Sequence, residues 1–213
     1  IKLLSWGINP KYKKPTKNKT ILIRKRYKCN KTEPLIVVLP RSNGEELMEY
    51  IKFVKDISVS VNAKFVFAIR PTRYLKKFSK LETKKVIIES GPKDFFNLLS
   101  AADFAIGENF EEDQAETTSL LPLAWMDAML RETPILTNKV SGIEELVKDK
   151  FNGMIFKDNN DLKKLLNRNN INSFKNLKKN SKKTIQKKFN VNKISDKYYK
   201  FWKAIIDKNI NLY

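Results

Sequence analysis

Short apolar runs alternate with amphipathic stretches along most of the chain. The runs are LIVVLP (35–40), KFVFAI (64–69), KVIIES (85–90), DFAIG (103–107), PILTN (134–138) and GMIF (153–156). Each is too short for a helix, rich in β-branched and aromatic residues, and bounded by turn formers, which predicts buried strands. Helical patterns lie between them: 45–57, with Leu47, Tyr50, Ile51 and Val54 on one face, then 72–81, 92–102, 119–131, 142–149 and NDLKKLLNR (160–168). Alternation of this kind predicts an α/β fold, a Rossmann-like doubly wound parallel sheet of about six strands. Two extra C-terminal helices follow, 172–188 and 192–208. The second aligns Ile194, Tyr198, Phe201, Trp202, Ile205 and Ile206. That is too much aromatic surface to leave in water, so it reads as a docking helix.

In open sheets of this class ligands gather at the carboxyl ends of the strands, where helix N-termini point. The helix predicted from Ser119 follows such a strand. Its unpaired amides and dipole form an anion site that needs no metal. From Leu120 to Leu130 every residue is apolar except Asp127. An uncompensated carboxylate there costs several kcal/mol, so Asp127 must have a partner. Two partners fit: a neighbouring cation such as lysine, in a structural salt bridge, or a ligand offering vicinal hydroxyls.

Composition narrows the chemistry. The 213 residues suit one large domain or a domain with an appendage. They contain no histidine, which removes Ser-His-Asp triads, Cys-His dyads and His-ligated zinc from what these residues can do alone. The single cysteine, Cys29, is consistent with a reducing, cytoplasmic setting. No apolar run approaches the length of a membrane span and no leader pattern opens the chain, so a soluble protein is expected. The formal charge of +20 is concentrated: residues 11–31 carry ten Lys and Arg with no acid, and 161–188 carry ten more against Asp161 alone. Either these are solvated surfaces or they meet anions such as phosphorylated ligands, an anionic membrane surface or nucleic acid. Nucleic acid is the least favoured, because the lysines are spaced by polar residues instead of stacking aromatics.

Several segments, in order, resemble the C-terminal half of family 4 glycosyltransferases of the GT-B fold. LLSAADFAIG (98–107) is similar to that family's Y-x-x-A-D-V-x-V-x-P-S, and LPLAWMDAMLRETPILTN (121–138) to the second acid and A-M-A-x-G-x-P-V-V-x-T. SGIEELV (141–147) is similar to G-G-x-x-E-x-V. LLSWGINPKYKKP (3–15) resembles the segment that leaves the N-terminal domain, and FNVNKISDKYYKFWKAI (189–205) the final helix. The likeness spans nearly the whole chain. It implies an interdomain crossing segment and basic variable stretch at 1–33, a nucleotide-sugar-binding domain at 34–190 and a docking helix at 191–213.

What the resemblance implies is a retaining, metal-independent transferase of hexosyltransferase type, inactive as an isolated domain. Its donor would be a UDP- or GDP-sugar, with no cofactor; the acceptor-binding N-terminal domain would be its partner, and an anionic membrane surface an auxiliary one. Asp127 matches the acid that holds the ribose hydroxyls, one methylene shorter, and the amides of Ser119 and Leu120 match the pyrophosphate site. LPRSNGEEL (39–47) matches G-R-x-x-x-x-K-G through Arg41, without its lysine. Arg70 and Arg73 stand where the pattern has glycines and could add phosphate charge. Ser119 occupies the place of the first acid, so Glu111 or Glu116, in an acidic insertion, are the candidate catalytic carboxylates. These departures keep a second reading open, a degenerate relative that serves as a scaffold or binding module.

Overall fold

The computed structural model describes residues 7–12, 14–40, 43–107, 122–139, 142–167 and 174–210. Strand β1 (Leu35–Leu39) is buried along its whole length and pairs in parallel with β2 (Lys64–Ile69) on one side and β4 (Phe104–Gly107) on the other. With β3 (Val86–Ser90), β5 (Ile135–Asn138) and β6 (Gly153–Phe156) it forms an all-parallel sheet in the order β3-β2-β1-β4-β5-β6. The chain first builds outward from β1 to β3, then returns to β4. The direction of building therefore reverses between β1 and β4, where such sheets open a crevice at their carboxyl edge.

Helices cover both faces. One carries α2 (Gly44–Ser60), α3 (Leu75–Ser79) and α6 (Asn159–Leu166). The other carries α1 (Lys17–Arg26), α4 (Phe95–Ala101), α5 (Leu123–Leu130) and α7 (Lys175–Lys188). In α2, Asn43 accepts the Gly44 amide at 2.9 Å, Glu45 and Glu46 favour the positive helix end, and Leu47, Tyr50, Ile51, Val54 and Ile57 form the buried stripe. The two lysine-rich segments become α1 and α7, and both pack on the α4–α5 face.

Some elements differ from their expected form. Helix α1 lies in a stretch for which periodicity gave no element, because its apolar residues Ile21, Leu22 and Ile23 are consecutive and only Ile23 is buried. The segment expected to be helical over 142–149 is only a 3-10 turn, Ile143–Glu145. Asn152 explains the early stop: its side chain donates to the Leu146 carbonyl at 3.0 Å and accepts the Lys148 amide at 2.6 Å, taking up groups a longer helix would use. The described helix α5 begins after Pro122, so the residues expected to start it, 119–121, lie outside the described set. The last helix, α8 (Val191–Ile210), buries Ile194, while Tyr199, Trp202 and Ile206 are exposed. Among the described residues no helix is long and apolar enough to cross a membrane.

Asp103 joins four elements just before β4. Its Oδ2 accepts the Leu35 amide of β1 at 3.0 Å and Arg24 Nη1 of α1 at 2.9 Å; its Oδ1 accepts Lys178 Nζ of α7 at 2.9 Å. The side chain is only 12% exposed. Burial alone would raise its pKa, but Lys178, Arg24 and the Leu35 amide together hold it below the usual carboxylate value. At the opposite end of β4, Gly107 allows the Trp125 indole to lie across the strand: a Cβ there would stand 1.7 Å from Trp125 Cζ2.

Asp103→Ala is expected to lose about 3–5 kcal/mol in urea unfolding at neutral pH, because it strands two cations in a poorly solvated site. Since the folded-state pKa is depressed, the wild-type contribution is fully present above the unfolded value of about 3.9. It is lost as pH falls through the folded value, so the variant should show a shallower acid limb in its stability–pH curve. Gly107→Ala is expected to cost about 1–3 kcal/mol by overpacking against Trp125, read as a lower urea midpoint at unchanged slope.

Candidate functional site

The carboxyl edge of the sheet is assembled from the loops that leave each strand. After β1, Asn43 caps α2, and after β2 Thr72 Oγ1 stands 3.5 Å from Asn43 Oδ1, so these two loops meet. Tyr50 of α2 donates to the Gly107 carbonyl at 3.2 Å, fixing the end of β4. After β5 come Asn138 and exposed Lys139, and then Gly142, whose φ of 76° starts the 3-10 turn. Among the described residues no side chain caps α5, and no acid occupies its first turn. An uncapped amino end without an acid carries the positive end of the helix dipole, while Ser119 and Leu120, where the sequence placed the anion site, lie outside the described residues.

Asp127 is the fifth residue of α5, a little over one turn from its start. Its required partner is neither a lysine nor, among the described residues, anything but Arg131. Arg131 Nη1 donates to Asp127 Oδ1 at 2.7 Å and to the Asp127 carbonyl at 3.0 Å. Desolvation raises the Asp127 pKa, and Arg131 only partly offsets it. The carboxylate side chain is 25% exposed and that of Arg131 only 10%. Arg131 is in turn stacked: its Cζ lies 4.1 Å from the centroid of Phe96, on α4, and 5.0 Å from that of Tyr12, in the segment leading into α1. Tyr12 is anchored by a 2.7 Å hydrogen bond between its hydroxyl and that of Ser100. Beside this group, Glu132 accepts Lys14 at 2.7 Å and Lys182 at 3.1 Å.

The other candidates lie elsewhere. Arg70 is exposed just beyond β2. Arg73 turns back on its neighbour, donating to the Tyr74 hydroxyl at 3.0 Å with its Cζ 5.0 Å from that ring. Neither arginine is bonded to Asp127. Arg41, Glu111, Glu116, Ser119 and Leu120 fall outside the described residues. Among the described residues no three His, Cys, Asp or Glu are grouped to hold a metal. Sequence reasoning missed Arg131, Tyr12 and Phe96. The spacing of Asp127 and Arg131, four residues on one helix, was the available signal for the first. The two rings come from distant segments and gave none.

No family model and no curated protein matches the sequence. Solved structures do. HepE of Anabaena, determined with UDP-glucose, superposes with a TM-score of 0.76 at 14% identity, over 95% of this chain and 57% of that one. Sucrose-phosphate synthase of Thermosynechococcus elongatus matches with a TM-score of 0.74 at 16% identity, over 97% of this chain and 53% of that one. A glycosyltransferase of Rickettsia africae matches with 0.72 at 14% identity, over 95% and 56%. The chain thus spans little more than half the length of these proteins. Together with the strand order, the superpositions give it the fold of one domain of a GT-B glycosyltransferase.

Proposed function

We propose that this chain is the donor-binding domain of a retaining, metal-independent glycosyltransferase, and that it takes a UDP- or GDP-sugar at the carboxyl edge of the sheet. The observation that carries the reading is the superposition of 95% of the chain on half of HepE, a protein solved with UDP-glucose. In this proposal the ribose diol meets Asp127, and the diphosphate meets the amino end of α5 with Ser119 and Leu120. Arg41 and Arg70 add positive charge, and Arg73 does so by releasing Tyr74. Departure of the nucleoside diphosphate is the charge-developing step, so amides and arginines aimed at it lower the barrier. Glu111 and Glu116 are the carboxylates proposed to act at the sugar, and the acceptor is read by a second domain.

One observation favours the alternative, a fold retained as a scaffold without a donor. Asp127 already has a cation, Arg131, and so does not need a ligand to be tolerated in its helix. The two readings differ in what happens when nucleotides are added.

Titration calorimetry of the 213-residue chain with UDP and GDP is expected to show saturable binding, and the absence of heat or amide shift changes at millimolar nucleotide would sink the donor reading. Asp127→Asn is expected to weaken binding about 10–100-fold, the worth of a hydrogen bond to a charged group. The same variant should also lose about 1–3 kcal/mol in urea, because Asn still accepts from Arg131 but leaves the covered guanidinium without its counter-charge, so binding is compared under conditions where both proteins are fully folded. Unchanged affinity in this variant favours the scaffold.

A further inference from the structure

Arg131 and Asp127 form an unusual version of a common helix pair. The surface pair on α2, Lys52 and Glu49, has both side chains well exposed, at 50% and 70%. Such pairs are fluctuating and contribute little. The pair that starts on α5 is much more covered, with side-chain exposures of 10% for Arg131 and 25% for Asp127.

The surroundings of Arg131 restrict it further. Phe96 and Tyr12 stack on its guanidinium from α4 and from the segment before α1, and Tyr12 is tied to Ser100 of α4. Two cation–π contacts of this kind favour keeping the guanidinium at one position. Its Nε is buried without a hydrogen-bond partner, so the placement is set by the rings and by Asp127 and not by satisfaction of every donor. Nη1 then grips Asp127 twice, at the carbonyl and at Oδ1, which fixes the carboxylate about its own backbone. No described residue bonds to Oδ2. An ionised carboxylate has about four lone-pair sites, so one oxygen remains able to accept from hydroxyls.

We propose that Arg131 is a positioning residue of the nucleotide site: held between Phe96 and Tyr12, it presents Asp127 with one carboxylate oxygen turned to the ribose hydroxyls of a nucleoside diphosphate. This rests on the donor-binding reading above. Arg131 touches no ligand; it acts through Asp127. The strap that contains Tyr12 becomes part of the site's support, although it comes from a different end of the domain.

The test compares UDP and GDP with their 2′-deoxy forms by calorimetry on wild type, Asp127→Asn, Arg131→Gln and Arg131→Lys. Wild type is expected to prefer at least one ribonucleotide about 10-fold or more over its deoxy form, as a charge-assisted hydrogen bond requires. Arg131→Gln should lower that preference to about 3-fold or less while deoxy affinity changes less than about 2-fold, and Arg131→Lys should restore part of it, since an ammonium can reach the carboxylate but cannot stack as a plane. A purely structural role would instead weaken both nucleotides together, along with thermal stability, and that result overturns the proposal. Loss of preference in Asp127→Asn but not in Arg131→Gln overturns the role of Arg131 alone. A wild type that binds no nucleotide removes the donor reading and this inference with it, whereas one that binds nucleotide but does not distinguish the ribo and deoxy forms overturns this inference alone. If Arg131→Gln fails to fold, Phe96→Leu decides: it leaves the ion pair, removes one ring, and should reduce the preference by at least half with deoxy affinity unchanged, and an unaltered preference counts against the proposal.

Discussion

The buried carboxylate of Asp103 is the interaction on which the arrangement of this domain depends. It satisfies a β1 amide that would otherwise have no sheet partner at the strand's start, and it balances one cation from α1 and one from α7. Both helices are strongly basic, and neither has an acid in its first turn. Of the acids that pair with these basic segments, Asp103 is the most covered, so it compensates Arg24 and Lys178 where solvent screens least. Arg24 extends the same contact to the carbonyls of Ala101 and Asn30, at 3.3 and 2.9 Å, so the loop before β1 is gathered in as well. Glu132 repeats the device nearer the surface, bridging Lys14 and Lys182 of the same two lysine-rich segments.

The consequences reach the carboxyl edge. With the start of β4 fixed by Asp103 and its end by Tyr50 and the Trp125 indole over Gly107, the strand has little freedom along its axis. Helix α5 is therefore delivered to a defined place beside α4, where Arg131 at its end meets Phe96. Tyr12 meets the same guanidinium from the segment before α1. The candidate site is in this sense a product of packing around α4, and only partly of the residues on α5 itself.

The sheet was legible from the sequence because each of its strands is a short, dense apolar run, and the alternation with helices left few topologies. LIVVL is the plainest case, buried at every position as a central parallel strand must be. Helix α1 was not legible: a helix that buries only Ile23 of three consecutive apolar residues has no 3.6-residue rhythm to detect. At the site, the requirement that Asp127 have a partner followed from burial alone, but the partner's identity did not. An arginine four residues on was within reach by spacing, yet its covering rings come from positions 12 and 96, a long-range coincidence that composition does not encode.

One small contact links the beginning of the described chain to its last helix. Ile8 donates to the Phe189 carbonyl at 2.7 Å and accepts from Val191 at 3.0 Å, and Gly7 sits so close to Val191 that a Cβ would lie 2.5 Å from its Cα. This knot lies at the first residue of α8 and four residues before Tyr12. The backbone stitched to the root of α8 is thus the same short run that, four residues on, sets the Tyr12 ring against Arg131, so the two ends of the described chain share one anchorage.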